Sequence, residues 1–337
     1  MRPNQLFFRW SMAFMAFHIL LVLITPVFTV NSLLYPLRVD STFVKQWLAQ
    51  NNNSEDSAFL LHAIHPSQLG LKYQTVYFER NGQPRLQGWL SLDTTKKSAP
   101  LLLIIPDISE GKVCYLRDIL EFNARGFHVC VMDMRAQGQS NGLNYDPGSG
   151  SAKDLVRIIN KMSQLEVVEF ISVLGIGTGA GICMKATQEQ SINIASILLQ
   201  NPPRSLEALF FEKALQGIGG VVYPFLPVVK RAYERTTGLD FHDHDFVEIM
   251  KKYNWPHLFI AAGYVTDGKM NDIRRLMEST GYSRNKIFLE LQNTNTAPFH
   301  KYSKKYYDHL AGYILSSRQP AGSKTRTKKL VNNESRP

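Results

Sequence analysis

The stretch that decides the fold lies at residues 170–181 and reads Phe-Ile-Ser-Val-Leu-Gly-Ile-Gly-Thr-Gly-Ala-Gly. An apolar run followed by a glycine-rich turn, with a helix candidate at Ile182–Gln190, is typical of a strand that turns sharply into a helix. Gly175 and Gly179 stand where the pattern G-x-S-x-G of a nucleophile elbow has its glycines. The central position is Gly177, which has no side chain that could attack a carbonyl carbon. The sequence therefore predicts an elbow without its nucleophile, and the alternative is an ordinary glycine-rich turn.

A glycine at the centre of an elbow has a physical rationale. The central residue of this turn has a strained backbone, which costs a non-glycine residue roughly 1–3 kcal/mol. Glycine adopts a positive φ without that steric penalty. Replacement of an elbow serine by glycine at position 177 would therefore relieve backbone strain while it removes the reactive group.

The composition is that of a globular protein with a separate basic tail. The 337 residues suffice for one large domain of about 250–300 residues with appendages. The formal net charge is +10, but residues 318–337 carry six basic side chains against one acidic side chain, which is half of the excess. We expect a solvated tail at 317–337, with binding to anionic lipid as the second hypothesis, and no nucleic-acid partner.

The cysteines do not indicate a disulfide framework, a metal site or a thiol nucleophile. Their number is odd, their spacing does not match that of metal ligands, and none lies at the elbow; they are Cys114, Cys130 and Cys183. The chain also lacks the phosphate-binding pattern G-x-x-x-x-G-K-[ST]. The sequence predicts no cofactor and no metal.

The N-terminal region predicts a membrane anchor. Trp10–Val30 is 21 residues long, contains no charged side chain and follows Arg2 and Arg9. As a helix it would be about 32 Å long, enough to cross a hydrocarbon core of roughly 30 Å. A cleaved signal peptide is the competing interpretation, although the apolar run is longer than usual and no A-x-A site is present. We expect a single-pass signal anchor with the domain on the extracytoplasmic side.

The remainder of the chain predicts a mostly parallel sheet covered by helices. Strand candidates alternate with helix candidates, which is typical of this architecture. The strand candidates are Tyr73–Glu79, Leu86–Leu92, Leu101–Ile105, His128–Met134, Phe170–Leu174, Ile194–Leu199, His257–Ala262 and Lys286–Leu291. The other helix candidates are Val113–Ala124, Ala152–Met162, Asn271–Ser279 and Tyr302–Leu315. Residues 204–255 interrupt the alternation, and we expect them to form a cap insertion over the carboxyl ends of the strands.

This order of elements resembles the α/β-hydrolase superfamily, specifically its exported or membrane-anchored branch of serine-aminopeptidase-like and lysophospholipase-like proteins. The resemblance covers residues 65–315, and its most specific part is the segment Met132–Ser140, which is similar to the turn D-x-R-G-x-G-x-S of that branch. Ala136 departs from the turn, and Asp133, Arg135, Gly138 and Ser140 match it. Asp154 also stands where these proteins have an acidic residue. The turn is structural in the family, so it supports the fold and not an activity.

The resemblance implies a triad in the chain order nucleophile, acid, histidine. Gly177 is the vacant nucleophile position, and a slip of backbone register would make Thr178 a substitute. Asp267 fits the acid position if one residue is inserted after Gly263, and His300 fits the histidine position. The amides of Ile108 and Thr178 would form the oxyanion hole. However, Pro106 and Asp107 replace the His-Gly that the family commonly has, and Asp107 would bring negative charge beside the oxyanion.

Three functions are compatible with the sequence. The first is a membrane-anchored pseudo-hydrolase that binds a small acyl or peptide ligand or a partner. The second is an active esterase or peptidase with an atypical nucleophile, or with water activated by His300 and Asp267. The third is a non-enzymatic platform at the membrane surface. The predicted organisation is a basic N-terminus (1–9), an anchor (10–30), a lead-in (31–64), a hydrolase-like domain (65–316, with the cap at 204–255) and a basic tail (317–337).

Overall fold

A computed structural model of the chain describes most of the region from the first strand to the last helix. The described residues are 9–17, 20, 24, 27, 30–31, 34–35, 38–50, 64–80, 82–93, 97–108, 110–189, 192–253, 256–263, 265–281, 287–291 and 302–318.

Eight strands form one sheet in the order β1-β2-β4-β3-β5-β6-β7-β8. The first two strands pair antiparallel with each other and β2 pairs antiparallel with β4, while all later pairs are parallel. The strands are β1 (Tyr73–Arg80), β2 (Gln83–Ser91), β3 (Ala99–Ile105), β4 (His128–Asp133), β5 (Val168–Ile176), β6 (Ser196–Gln200), β7 (His257–Gly263) and β8 (Ile287–Leu291). This confirms the predicted mostly parallel sheet.

Helices connect the parallel strands, as right-handed crossovers between such strands require. They are α1 (Ser41–Gln50), α2 (Leu116–Ala124), α3 (Ser149–Met162), α4 (Thr178–Ala186), α5 (Leu206–Ile218), α6 (Leu226–Thr237), α7 (Phe246–Lys251), α8 (Asp267–Ser279) and α9 (Lys304–Ser316). Short 3₁₀ helices lie at Pro66–Leu69, Lys112–Tyr115, Gly219–Phe225 and His242–His244.

Alternate residues of the central strands supply two separate cores, one on each face of the sheet. On β3, Leu101, Leu103 and Ile105 belong to one buried cluster. Leu102 and Ile104 belong to the other. Because successive side chains of a strand point to opposite faces, a wholly apolar strand indicates burial on both sides.

The residues between β6 and β7 form helices α5, α6 and α7 with two 3₁₀ turns. The region contains a buried apolar cluster of its own, which includes Leu209, Phe210 and Tyr233. Two ion pairs connect its elements to α8: Lys269 lies 3.1 Å from Glu212, and Asp272 lies 3.6 Å from Arg204. We refer to residues 204–253 as the cap.

The motif at Met132–Ser140 forms a tight, fully bonded turn after β4. The Asp133 carboxylate accepts a hydrogen bond from the Lys112 amide at 2.7 Å and forms a buried ion pair with the Lys112 ammonium. Arg135 forms an ion pair with Asp154 on α3. Ala136, the departure from the motif, has φ +57°. Residue 136 thus keeps the left-handed backbone conformation although alanine replaces the glycine of the family's motif. The contacts of Asp133 and Arg135 give this turn a structural role.

The N-terminal region reaches the domain near the cap. Residues 9–17 are helical with exposed side chains, whereas Val30 and Leu34 are buried in the cluster of the cap. The Leu34 carbonyl accepts a hydrogen bond from the Tyr145 amide at 2.9 Å. Within the ranges that the structure describes, no helix combines the length and the apolarity needed to cross a bilayer. The anchor at 10–30 includes residues outside those ranges, so it stays a prediction.

Candidate active site

The elbow has the backbone that the sequence predicts. Strand β5 ends at Ile176, helix α4 begins at Thr178, and Gly177 between them has φ +53° and ψ −114°. This conformation is rarely accessible to residues with a side chain, which explains the glycine in physical terms. The Gly177 amide donates to the carbonyl of Gln200 at 2.9 Å, which attaches the turn to the end of β6.

Gly179 is required by close packing between α4 and β3. A Cβ atom at this position would lie 2.2 Å from the carbonyl oxygen of Ile105, a separation that the backbone could not accommodate without a shift. The glycine therefore allows the first turn of α4 to approach the carboxyl end of β3. This packing brings residues 105–108 next to the elbow.

The Asp107 carboxylate occupies the space in front of Gly177. A Cβ atom built on Gly177 would lie only 2.5 Å from Asp107 Oδ1. The same oxygen accepts a hydrogen bond from the Thr178 amide at 2.8 Å. This amide is one of the two that the sequence assigns to an oxyanion hole, so an internal carboxylate is bound where that hole would bind substrate oxygen.

Lys213 of α5 neutralises this carboxylate from the cap side. Its Nζ lies 3.3 Å from Asp107 Oδ2, and both side chains are about one-fifth exposed, at 21% each. Burial alone would raise the pKa of Asp107, but Lys213 and the Thr178 amide outweigh it and place that pKa well below its usual range. Reciprocally, Asp107 raises the pKa of the Lys213 ammonium. The carboxylate is therefore ionised and firmly bound at neutral pH.

The hydroxyl of Thr178 is part of the wall of the site. Its side chain is only 1% exposed, and Oγ1 accepts a hydrogen bond from the Tyr145 hydroxyl at 2.8 Å. Burial raises the pKa of Tyr145 well above its ordinary value, so Tyr145 stays protonated and cannot serve as a base for the threonine. In this arrangement Thr178 contributes its amide to Asp107.

The two remaining triad candidates are not brought together with the elbow by any described contact. Asp267 is the first residue of α8, next to the N-cap Thr266, and its side chain is exposed. A carboxylate in the first turn of a helix also interacts favourably with the helix dipole. His300 lies outside the described residues. Both assignments stay predictions.

A small apolar pocket opens beside the Asp107–Lys213 pair. Its cavity volume is about 20 Å³, which is room for a water molecule. Its lining consists of Ile108, Pro147 and the cap residues Leu206, Leu209, Phe210, Lys213, Tyr233 and Phe241. Sequence reasoning identified Ile108 but not Lys213 or the apolar cap residues of this pocket. No motif marks the cap residues, because most of them lie on helices α5 and α6, whose apolar positions are indistinguishable in sequence from ordinary core.

The sheet order, the crossovers and the strand-elbow-helix turn together define an α/β-hydrolase fold. Residues 97–268 match the Hydrolase_4 family, described as serine aminopeptidase, S33, and the chain belongs to that family. This match ends before His300 and includes the altered residues Asp107 and Gly177.

Solved structures of esterases resemble this chain in fold. The Pyrococcus furiosus esterase Pf2001 aligns with a TM-score of 0.56 at 16% identity, covering 75% of this chain and 95% of its own. Acetyl xylan esterase 1 from a Thermoanaerobacterium species aligns with a TM-score of 0.53 at 16% identity, covering 74% and 84% respectively. Est1E from Butyrivibrio proteoclasticus, solved with ferulic acid bound, gives 0.53 at 16% identity, covering 72% and 98%. No curated protein sequence matches this chain significantly.

Proposed function

We propose that this chain is a membrane-anchored pseudo-hydrolase, in which the hydrolase fold binds a small acyl or peptide ligand and covalent catalysis is disabled. The observation that carries the proposal is the Asp107 carboxylate, which is bound to the Thr178 amide at 2.8 Å directly in front of Gly177.

Two independent losses support the catalytic part of the proposal. Gly177 offers no nucleophile, and the Thr178 amide, which would help to stabilise a tetrahedral intermediate, is hydrogen-bonded to Asp107. Loss of one oxyanion donor costs about 10²–10³ in kcat. An enzyme without its triad still exceeds water by roughly 10³–10⁴-fold, chiefly through its oxyanion hole and substrate binding. In this chain Asp107 weakens the first of those residual contributions as well, because it occupies the Thr178 amide.

The pocket beneath the cap supports the binding part of the proposal. Its lining is almost entirely aliphatic and aromatic, with the Asp107–Lys213 pair at one side. Ligand sites are typically apolar cavities with a few polar groups that orient the ligand, and most are about 300–1,000 Å³. At about 20 Å³ the cavity lies well below this range, so a short acyl chain or an apolar peptide side chain would enter only if the cap side chains moved apart.

The membrane part of the proposal rests on the apolar segment 10–30 and on the place where it ends. Val30 and Leu34 are buried against the cap, so the anchor would lead directly into the domain. We infer a single-pass anchor with the domain on the extracytoplasmic side. The basic tail at 317–337 would add attraction to anionic lipid.

A fluorophosphonate probe, which reacts with activated serine hydroxyls, tests the catalytic part. The full chain is compared with Gly177→Ser, Asp107→Gly and the double variant, with an active serine hydrolase as the positive control. We expect no labelling of the wild-type chain and little of Gly177→Ser, because Asp107 still occupies the Thr178 amide. The double variant should react fastest. Stoichiometric labelling of the wild type, or efficient ester turnover by Gly177→Ser alone, would contradict the proposal.

The competing hypothesis of water activation has its own test. Ester hydrolysis is measured for the wild type, His300→Ala and Asp267→Asn with short-chain and long-chain esters. Equal background rates in all three support a pseudo-hydrolase. A rate that falls in both variants would establish an active enzyme with unusual chemistry.

Binding is then measured by calorimetry with short fatty acids and apolar peptides, and Phe210→Ala should weaken it.

A further inference from the structure

Helix α6 of the cap has two clearly different faces. Leu226, Val229 and Tyr233 are buried and recur at helical spacing on one side. Val228, Arg231 and Arg235 are exposed and follow the same spacing on the opposite side. The exposed face is thus a stripe that begins with an apolar residue and continues with two arginines. Neither arginine forms an ion pair with any residue that the structure describes.

The turn that precedes α6 extends the apolar end of this stripe. Tyr223 is 67% exposed and Val228 is 54% exposed. Pro224 and Pro227 between them are exposed as well. We call these four residues the cap tip. An exposed aromatic and apolar tip followed by arginines one to two turns away is the pattern of segments that lie in a membrane interface.

The N-terminal chain identifies the bilayer as the occupant of this surface. Val30 and Leu34 belong to the same buried cluster as Val222 and Leu226, which flank the cap tip. Eight large apolar side chains described between Trp10 and Val27 are each more than half exposed. The predicted anchor therefore ends on the cap, next to residues that flank the cap tip.

We propose that the cap tip inserts into the interface of an anionic phospholipid bilayer, with Arg231 and Arg235 bound to lipid phosphates. This inference rests on the proposed anchor, which would bring the cap to the membrane surface.

Depth-dependent fluorescence quenching tests the contact on the full chain. Val228→Cys and the control Leu315→Cys each receive a fluorescent label. Leu315 is a suitable control because it is 53% exposed, and nearby Arg318 lies against Phe170 at the amino end of β5, opposite the cap. Labelling is selective because the three native cysteines are buried. The protein is reconstituted into phosphatidylcholine vesicles with or without phosphatidylserine, and spin-labelled lipids serve as quenchers.

We expect strong quenching at residue 228, little at residue 315, and more quenching at 228 when phosphatidylserine is present. Arg231→Glu should reduce the inserted population in the anionic vesicles by at least roughly fivefold, the contribution of one basic residue near such a surface. Co-flotation with vesicles without quenching at 228 overturns this inference and leaves the anchor intact. Protection of the 228 label from aqueous iodide without lipid quenching indicates a second protein chain on this face and also overturns it. A chain that does not float overturns both the anchor and the cap contact.

Discussion

Replacement of Gly177 by alanine probes the geometry on which the proposed function depends. Gly177 has φ +53°, and its new Cβ would lie 2.5 Å from Asp107 Oδ1. The backbone strain costs about 1–3 kcal/mol. The carboxylate must also move away from the Thr178 amide, and the lost hydrogen bond to a charged group costs about 1.5–3 kcal/mol. We expect Gly177→Ala to lower the free energy of unfolding by about 2.5–6 kcal/mol.

The Asp107→Gly background separates these two contributions. Without the carboxylate, Gly177→Ala meets only the backbone strain, so its cost should fall to about 1–3 kcal/mol. The double-mutant cycle should therefore give a coupling energy of about 1.5–3 kcal/mol. The measurement is urea unfolding of the four proteins, followed by tryptophan fluorescence.

Gly238→Ala is the matched control. Gly238 has φ +70°, but a Cβ atom there meets no atom within 4 Å. The left-handed backbone conformation is therefore the only free-energy cost of alanine at this position. We expect about 1–2 kcal/mol, independent of the residue at position 107. If Gly177→Ala costs the same with aspartate and with glycine at position 107, the carboxylate is not at the elbow. The pseudo-hydrolase reasoning would then be refuted.

Three further predictions follow from buried charges and thiols. Because the pKa of Asp107 is lowered in the folded state, the difference in free energy of unfolding between the wild type and Asp107→Asn should be largest above about pH 4 and should shrink as the pH falls below that value. Urea titrations across this range measure the difference, and a difference that does not change with pH would contradict the prediction. Lys112→Met should lower the free energy of unfolding by about 3–5 kcal/mol, because it leaves the buried Asp133 carboxylate without its cationic partner. Lys251→Met removes one partner of an exposed ion pair and should lower it by under about 1 kcal/mol. Equal losses in urea unfolding would show that burial is not the cause of the difference. A disulfide reagent should react with no native thiol before unfolding, since burial raises the pKa of each, and rapid reaction in the native state would disprove this for Cys114, Cys130 and Cys183.

The sequence predicted the elements of the sheet more accurately than their ends. The apolar run Leu101–Ile105 lies within the observed strand Ala99–Ile105, because a strand buried on both faces needs apolar residues at every position. The helix after the elbow was predicted at Ile182–Gln190 but occupies Thr178–Ala186. Its start was predicted late because Gly177 through Gly181 looks like a flexible turn, whereas packing against β3 makes this segment helical.

Local sequence also determined the vacancy at the centre of the elbow, since the absence of a side chain at Gly177 needs no tertiary information. The resemblance to the hydrolase family indicated that Asp107 would disturb the oxyanion turn, because Pro106 and Asp107 stand where the family commonly has His-Gly. Those inferences depend on residue identity and on comparison with the family's motifs.

Only the tertiary structure decided where the Asp107 carboxylate lies and which groups bind it. Its partners Thr178 and Lys213 are 71 and 106 residues away in sequence. The contact between Asp107 and Thr178 depends on the sheet order, which places β3 beside β5. The contact between Asp107 and Lys213 depends on how the cap packs over the strand ends. Such packing results from many weak apolar contacts summed over the whole domain, and no single motif in the chain encodes it.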